Sequence, residues 1–225
     1  MDRQALPALR HCYLCSGMTD EQILQFMDLA PGTIKLYEKG SLVFQQGDKP
    51  ERLFVLIEGK ACISRDTLAG KRLLIATIDR PGDVFGEVYL FIEEPYEVQA
   101  EAEERSVVLE LPGTAFTAGT AAPAALGNLL KNNLLRVFAG KAYTLSNRVR
   151  VLGCGSIREK IAQYLLQRHS DGPGGVPSRE QMAEYMNVAR PSLSRELSRM
   201  QEEGLIELSG REITVKDQER LESYL

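Results

Sequence analysis

No apolar run in these 225 residues approaches the roughly 18 that a membrane-spanning helix requires. Met1-Asp2-Arg3-Gln4 leads into no signal-peptide core, so the expected location is cytoplasmic, without a membrane partner. Histidine is scarce, and only His11 and His169 are available as imidazole ligands. Four cysteines are too few, in an intracellular chain of this size, to read as a disulfide framework. From Gly40 to Leu111 there is neither a G-x-G-x-x-G nor a Walker-type phosphate loop, and strands never alternate with long helices. A nucleotide-binding βαβ fold is therefore disfavoured. Charge of one sign is missing over two long stretches: no Lys or Arg lies between Arg80 and Arg105, and no Asp or Glu between Glu110 and Glu159.

What is present is a globular composition, 44% hydrophobic and 26% charged, in a chain long enough for two modest domains. The net charge of -4 does not suit a non-specific nucleic-acid coat, so any DNA binding has to come from local arginine clusters.

Residues 1–39 read as a helical lead-in with Ile23, Leu24, Phe26 and Met27 as apolar positions and Asp20 as the expected N-cap. From Gly40 to about Leu111 short β-branched and aromatic runs alternate with glycine turns: Leu42–Phe44, Leu53–Ile57, Ala61–Ile63, Leu73–Ile78, Val84-Phe85 and Val107–Leu111. Strands roughly ten residues apart predict an antiparallel roll or barrel. After the small-residue connection 112–123, a helical stretch runs to about Leu152. Leu126, Leu130, Leu134, Val137 or Phe138, Leu145, Val149 and Leu152 recur along it at steps of three, four or seven. A seam of that length predicts a helix packed against its twin; the competing reading is one long core helix within a single chain. Gly153-Cys154-Gly155 reads as a hinge, followed by helix-like Ile157, Ile161, Tyr164 and Leu165 and the loop 170–177.

The most informative stretch is Val176–Lys216. Ser178 and Gln181 have capping-box spacing, and Met182, Ala183 and Met186 share one helical face. Asn187 tolerates the left-handed backbone of a tight turn. A second helix opens at Arg190-Pro191, with proline accommodated in its first turn. It buries Leu193, Leu197 and Met200 and leaves Ser192, Ser194, Arg195, Ser198 and Arg199 outward, with Glu196 as acidic neighbour. Guanidinium forks suit guanine edges and phosphates. Leu205–Leu208, the turn Ser209-Gly210-Arg211 and Ile213–Val215 complete a two-stranded wing, so the stretch reads as a winged helix-turn-helix. A small helical protein-interaction domain is the bland alternative.

Pro81-Gly82-Asp83-Val84-Phe85-Gly86-Glu87, Ile157–Leu166 and Arg190–Arg195 with its wing, in this order, resemble the Crp/Fnr family of bacterial transcription regulators. The resemblance covers nearly the whole chain. It implies an α+β fold: residues 1–123 form a sensor domain, a jelly-roll-like β-roll with its helical lead-in, 124–152 a dimerisation helix, and 153–225 the winged helix-turn-helix domain. It also implies a homodimer joined through 124–152 that binds a palindromic site on double-stranded DNA and works with RNA polymerase. Arg190, Ser192 and Arg195 fall where the family reads bases; Ser178, Arg179, Arg199 and Arg211 fall where phosphates are touched. Many members carry a glutamate where this chain has Pro191, so the target sequence does not transfer.

The family's cyclic-nucleotide members hold a ribose hydroxyl on the glutamate that aligns with Glu87 and the phosphate on an Arg-Ser pair. Here that pair is Val98 and Gln99, and the Thr-Ser pair facing the purine is Leu145 and Ser146. A buried phosphate without a cationic partner is expensive, so gating by cyclic AMP is disfavoured. The expected effector is a neutral or apolar small molecule near Gly86, Glu87, Val88, Val98, Gln99, Leu145 and Ser146. An alternative is a redox or metal sensor, iron–sulfur or haem, using Cys12, Cys15, Cys62 or Cys154; Cys12 and Cys15 are weak candidates as metal ligands. An enzyme is not expected: a thiol oxidoreductase would place Cys12-x-x-Cys15 at a helix start after a strand, which the surrounding residues do not provide.

Overall fold

The computed structural model describes residues 5–66, 72–117, 123–171, 178–210 and 212–225; Arg211, the connection at 118–122 and the loop at 172–177 lie outside them. Two compact bodies make up the chain, Met1–Ala139 and Gly140–Leu225.

The first body opens with α1 (Leu6–His11), a 3-10 turn at Tyr13–Cys15, and α2 (Asp20–Leu29). Two antiparallel four-stranded sheets follow. One is ordered β1 (Thr33–Tyr37), β8 (Ser106–Pro112), β3 (Arg52–Glu58), β6 (Val84–Phe85). The other is ordered β2 (Leu42–Phe44), β7 (Gln99–Ala102), β4 (Ala61–Asp66), β5 (Arg72–Ile78). Short helices α3 (Glu87–Ile92) and α4 (Thr114–Thr117) interrupt and close the roll. The two-residue period of a strand divides β3 between two cores. Leu53 and Val55 pack with α1 and α2, whereas Phe54 and Leu56 enter an aromatic interior with Phe44, Phe85, Tyr96 and Val98. Inside it Phe44 stacks on Tyr96 with centroids 3.9 Å apart. Glu110 of β8 is buried and ties three strands together: it accepts from Tyr37 Oη at 2.5 Å and Arg52 Nη1 at 2.9 Å, and Lys35 Nζ lies 3.0 Å away.

The lead-in departs from the sequence expectation in two ways. Thr33–Tyr37 is a strand, paired along β8 from Thr33 opposite Glu110 to Tyr37 opposite Ser106. The cap of α2 is Thr19, not Asp20. Thr19 Oγ1 accepts from the Gln22 amide at 3.3 Å and Gln22 Oε1 accepts from the Thr19 amide at 2.9 Å, while Asp20 pairs with Arg10.

A single 30-residue helix, α5 (Ala124–Gly153), begins in the first body and ends in the second. Its apolar seam is two seams. Leu126, Leu130, Leu134 and Val137 are buried in the core of their own first body, so this half of the expected dimer stripe packs within the chain. A second stripe, Leu135, Phe138, Ala142, Leu145, Val149 and Leu152, advances by alternating steps of three and four; Leu135, Leu145 and Val149 are 66%, 63% and 59% exposed. The period was read correctly, but Leu134 belongs to the inner ridge and Leu135 to the outer.

The second body holds α6 (Ile157–Asp171), α7 (Arg179–Tyr185), α8 (Arg190–Glu202), the hairpin β9 (Ile206–Ser209) and β10 (Glu212–Val215), and α9 (Gln218–Glu222). Its core joins Val151, Ile161, Leu165, Met182, Met186, Leu193, Leu197, Met200 and Leu221. At the expected hinge α5 stops at Gly153, and α6 starts on its own cap: Ser156 Oγ accepts from the Glu159 amide at 3.1 Å and Glu159 Oε2 accepts from the Gly155 amide at 2.9 Å.

Candidate nucleic-acid interface and effector cradle

Local chemistry sets the helix-turn-helix. Ser178 Oγ accepts from the Gln181 amide at 3.1 Å and Gln181 Oε1 accepts from the Ser178 amide at 2.8 Å, the reciprocal box that starts α7. Asn187 adopts φ +51°, and Val188 N–H closes the turn on Ala183 O at 2.9 Å. On α8, Leu193, Leu197 and Met200 are fully buried while Arg190, Ser194, Arg195, Ser198 and Arg199 are exposed. Arg195 Nη2 donates to Ser192 Oγ at 3.3 Å, pre-setting two of the three base-reading candidates side by side. Among the phosphate candidates, Ser178 is engaged in its cap and Arg199 is exposed with Nη1 3.7 Å from Glu196. Arg179 is half-buried with Nη1 3.8 Å from Met182 Sδ, and burial pulls its pKa down. The wing pairs Ser209 with Glu212, and Gln201 Oε1 accepts from the Leu208 amide at 3.2 Å, fastening the wing to α8.

Cations from behind hold this unit in place. Arg148 Nε donates to Tyr185 O at 3.4 Å and Lys160 Nζ to Met186 O at 3.1 Å, both at the carbonyl-rich end of α7 where positive charge is favoured. Arg158 Nε donates to Glu196 Oε1 at 2.6 Å, and its Nη1 and Nη2 donate to the Glu203 carboxylate at 2.8 and 2.7 Å. These bonds hold Glu203 below the ordinary carboxylate range and Arg158 above its own. The pattern of α8 signalled Glu196 as an acidic neighbour; its partner Arg158, 38 residues upstream, had no sequence signal.

In the first body, Gly86 adopts φ +81°, and a Cβ there would lie 2.7 Å from Phe54 Cδ2, so glycine is required on both counts. This left-handed step starts α3 with Glu87 at 0% exposure. Burial, helped by the neighbouring Glu87 and Asp48 side chains, pushes the Tyr96 phenol pKa up. Val98 is buried in the aromatic interior, Gln99 is half-buried and Val88 is exposed. Sequence reasoning missed Ser64: it is buried opposite Gln99 on β7, and its Oγ has no hydrogen-bond partner among the described residues. A lone hydroxyl in the otherwise apolar run Ala61-Cys62-Ile63 was the available signal. Leu145 and Ser146, the remaining cradle candidates, are exposed on the part of α5 that belongs to the second body. Cys12, Cys15 and Cys62 are buried free thiols and Cys154 is half-buried; among the described residues no three His, Cys, Asp or Glu side chains are grouped as a metal site would need.

Residues 34–120 match the cyclic nucleotide-binding domain, and residues 159–224 match the Crp-like helix-turn-helix domain. The chain belongs to the Crp/Fnr family. It is therefore a DNA-binding transcription regulator with an effector domain, and not an enzyme. A CRP-like cAMP-activated global transcriptional regulator of Mycobacterium tuberculosis is 26% identical, over 82% of this chain and 84% of its own. The cyclic AMP receptor protein of Thermus thermophilus is 27% identical, over 84% and 86%. Among solved structures, a mutant of CooA from Carboxydothermus hydrogenoformans superposes with a TM-score of 0.68 over 93% of this chain and 91% of that one; at 16% identity it speaks for the fold alone. Among the described residues no helix is long and apolar enough to cross a membrane.

Proposed function

We propose that this Crp/Fnr regulator binds a two-fold symmetric DNA site as a homodimer and answers to an effector other than cyclic AMP. The exposed Arg190, Arg195 and Arg199, set opposite the fully buried Leu193, Leu197 and Met200 on one helix, carry the DNA half of this reading. Two such helices enter successive major grooves about 34 Å apart when two copies pair along the outer stripe of α5. Arg190, Ser192 and Arg195 then read base edges, Ser178, Arg179, Arg199 and Arg211 meet phosphates, and RNA polymerase is the further partner. Selection from random double-stranded DNA, followed by sequencing, tests this: an enriched palindrome supports it, and no enrichment at any salt concentration removes it.

The effector half rests on the cradle. A cyclic phosphate would meet buried Val98 and neutral Gln99 beside the carboxylate of Glu87. The nearest cations in sequence on β4 and β5 are already engaged, Arg65 with Glu97 at 3.2 Å and Arg72 with Glu101 at 2.7 Å. A neutral ligand that hydrogen-bonds Ser64, Glu87 and Gln99 and stacks on aromatic side chains suits this lining better. Calorimetry decides the matter: micromolar cyclic AMP binding that Glu87→Ala abolishes would refute it.

A further inference from the structure

The outward face of α8 is centred on Pro191. On a helix of 3.6 residues per turn, Pro191, Ser194, Arg195 and Ser198 follow at steps of three and four, opposite the buried Leu193, Leu197 and Met200. Among the exposed residues of α8, Pro191 alone presents an apolar surface. The polar groups around it are donors or are already engaged. Arg190, Arg195 and Arg199 carry only N–H groups. Ser192 Oγ accepts from Arg195 Nη2 at 3.3 Å, and Ser198 Oγ donates to Ser194 O at 3.1 Å, turned back on its own helix. Glu196, the carboxylate of these turns, is drawn away: its Oε1 accepts from Arg158 Nε at 2.6 Å, and its side chain is 15% exposed. Farther along, Gln201 gives its Oε1 to the Leu208 amide at 3.2 Å. Among the described residues, Arg190–Arg199 therefore offers no outward carboxylate or amide.

Side chains of that kind are what recognise cytosine N4 and adenine N6 in the major groove. An apolar plate recognises a different group, the C5 methyl of thymine, which none of the other three bases carries. We propose that Pro191 is a specificity-determining residue of this reader and selects thymine, through its C5 methyl, at one position of each half-site. The proposal rests on α8 being the helix that enters the groove. Such helices bring their N-terminal residues to the base edges, and Pro191 lies in the first turn between Arg190 and Ser192. Its ring fixes φ, has no rotatable side chain to order on contact and leaves no N–H unpaired. The contact withdraws about one methyl group of the DNA from water, a preference of about fourfold over a base without it. Held back by Arg158, Glu196 does not compete by accepting from a cytosine at the same place.

The test uses the full chain and the palindrome it selects from random double-stranded DNA. Each thymine of a half-site is replaced in turn by deoxyuridine, which removes only the methyl, and affinity is measured at fixed salt. One replacement per half-site should cost about fourfold, and Pro191→Ser should abolish that cost. Pro191→Glu, whose charge is favoured in the first turn of a helix, should turn the preference at the same base pair from thymine to cytosine. The change should be at least about fivefold, the lower end for a direct base contact. Because this variant scores the gain of a new preference, an unfolded chain cannot mimic it. A palindrome in which every thymine tolerates deoxyuridine overturns the proposal. So does a methyl effect that survives Pro191→Ser, or a Pro191→Glu chain that keeps the original base. A chain that enriches no sequence loses the reading of α8 itself, whereas an enriched palindrome blind to the methyl removes this proposal alone.

Discussion

Replacing Arg158 with alanine puts a number on what holds the recognition helix. The guanidinium is 23% exposed and the Glu196 side chain 15% exposed, so their 2.6 Å bond is largely withdrawn from water. A hydrogen bond to a charged group of this kind contributes about 1.5–3 kcal/mol net. Glu203 is more open to solvent and adds geometric restraint more than energy. The guanidinium also lies 5.4 Å over the Tyr224 ring and donates to its hydroxyl at 3.2 Å, packing that alanine cannot replace. Arg158→Ala should therefore destabilise the second body by about 2–3 kcal/mol, and Glu196→Gln in the same chain should return much of that loss because no uncompensated carboxylate remains. Native-state amide exchange in α8 reports this body by itself. A double-mutant coupling energy below about 0.5 kcal/mol would show that the bond holds nothing, and the reasoning would fall.

On a selected palindrome, Arg190→Ala or Arg195→Ala should cost about 1–3 kcal/mol and relax specificity, whereas Arg199→Ala should weaken all sequences alike and flatten the salt dependence; equal losses on specific and random DNA for all three would contradict these roles. Leu145→Glu or Val149→Glu should give monomers in sedimentation velocity without unfolding either body, because both side chains are exposed within the chain; dimers of undiminished affinity would refute the outer stripe as the contact. Glu159 and Glu203 are both held below the ordinary value of 4.5, Glu159 by its Ser156 hydroxyl and the Gly155 amide and Glu203 by Arg158. Their contribution is intact above that value and lost as pH falls through their folded-state pKa values. Acid unfolding of the second body should thus begin below about pH 4.5 and shift in Glu159→Gln, as circular dichroism against pH would record.

Where a feature is fixed by near neighbours, the sequence disclosed it. Ser178 with Gln181, Asn187 at the turn, Pro191 in the first turn of α8 and the wing are local decisions made within a few residues. Thr19 escaped because Asp20 is as good a cap by type; only the reciprocal bonds with Gln22 decide between them. Thr33–Tyr37 escaped although Ile34 and Leu36 alternate with Thr33 and Lys35: the run is short, Leu36 is exposed on this edge strand, and its partner β8 lies some 70 residues away. Glu87–Ile92 is too short to reveal a helical period. Gly86, Glu87 and Val98 were named as effector candidates through resemblance, whereas Ser64 needed the pairing of β4 with β7 to become visible. The stripe of α5 shows the limit most clearly. Periodicity tells that a ridge is apolar and is silent about which surface it will meet.

Phe138 stands at the crossing of those two ridges. Its ring meets Phe91 of α3 edge-on at 5.4 Å and packs against the inner cluster, yet by spacing it also falls in line with Leu135 and Leu145 on the outer stripe. Under the proposed pairing along the outer stripe, a side chain at 138 would answer to a second copy as well as to Phe91 and the inner cluster, so resizing it should alter both effector response and pairing rather than either alone.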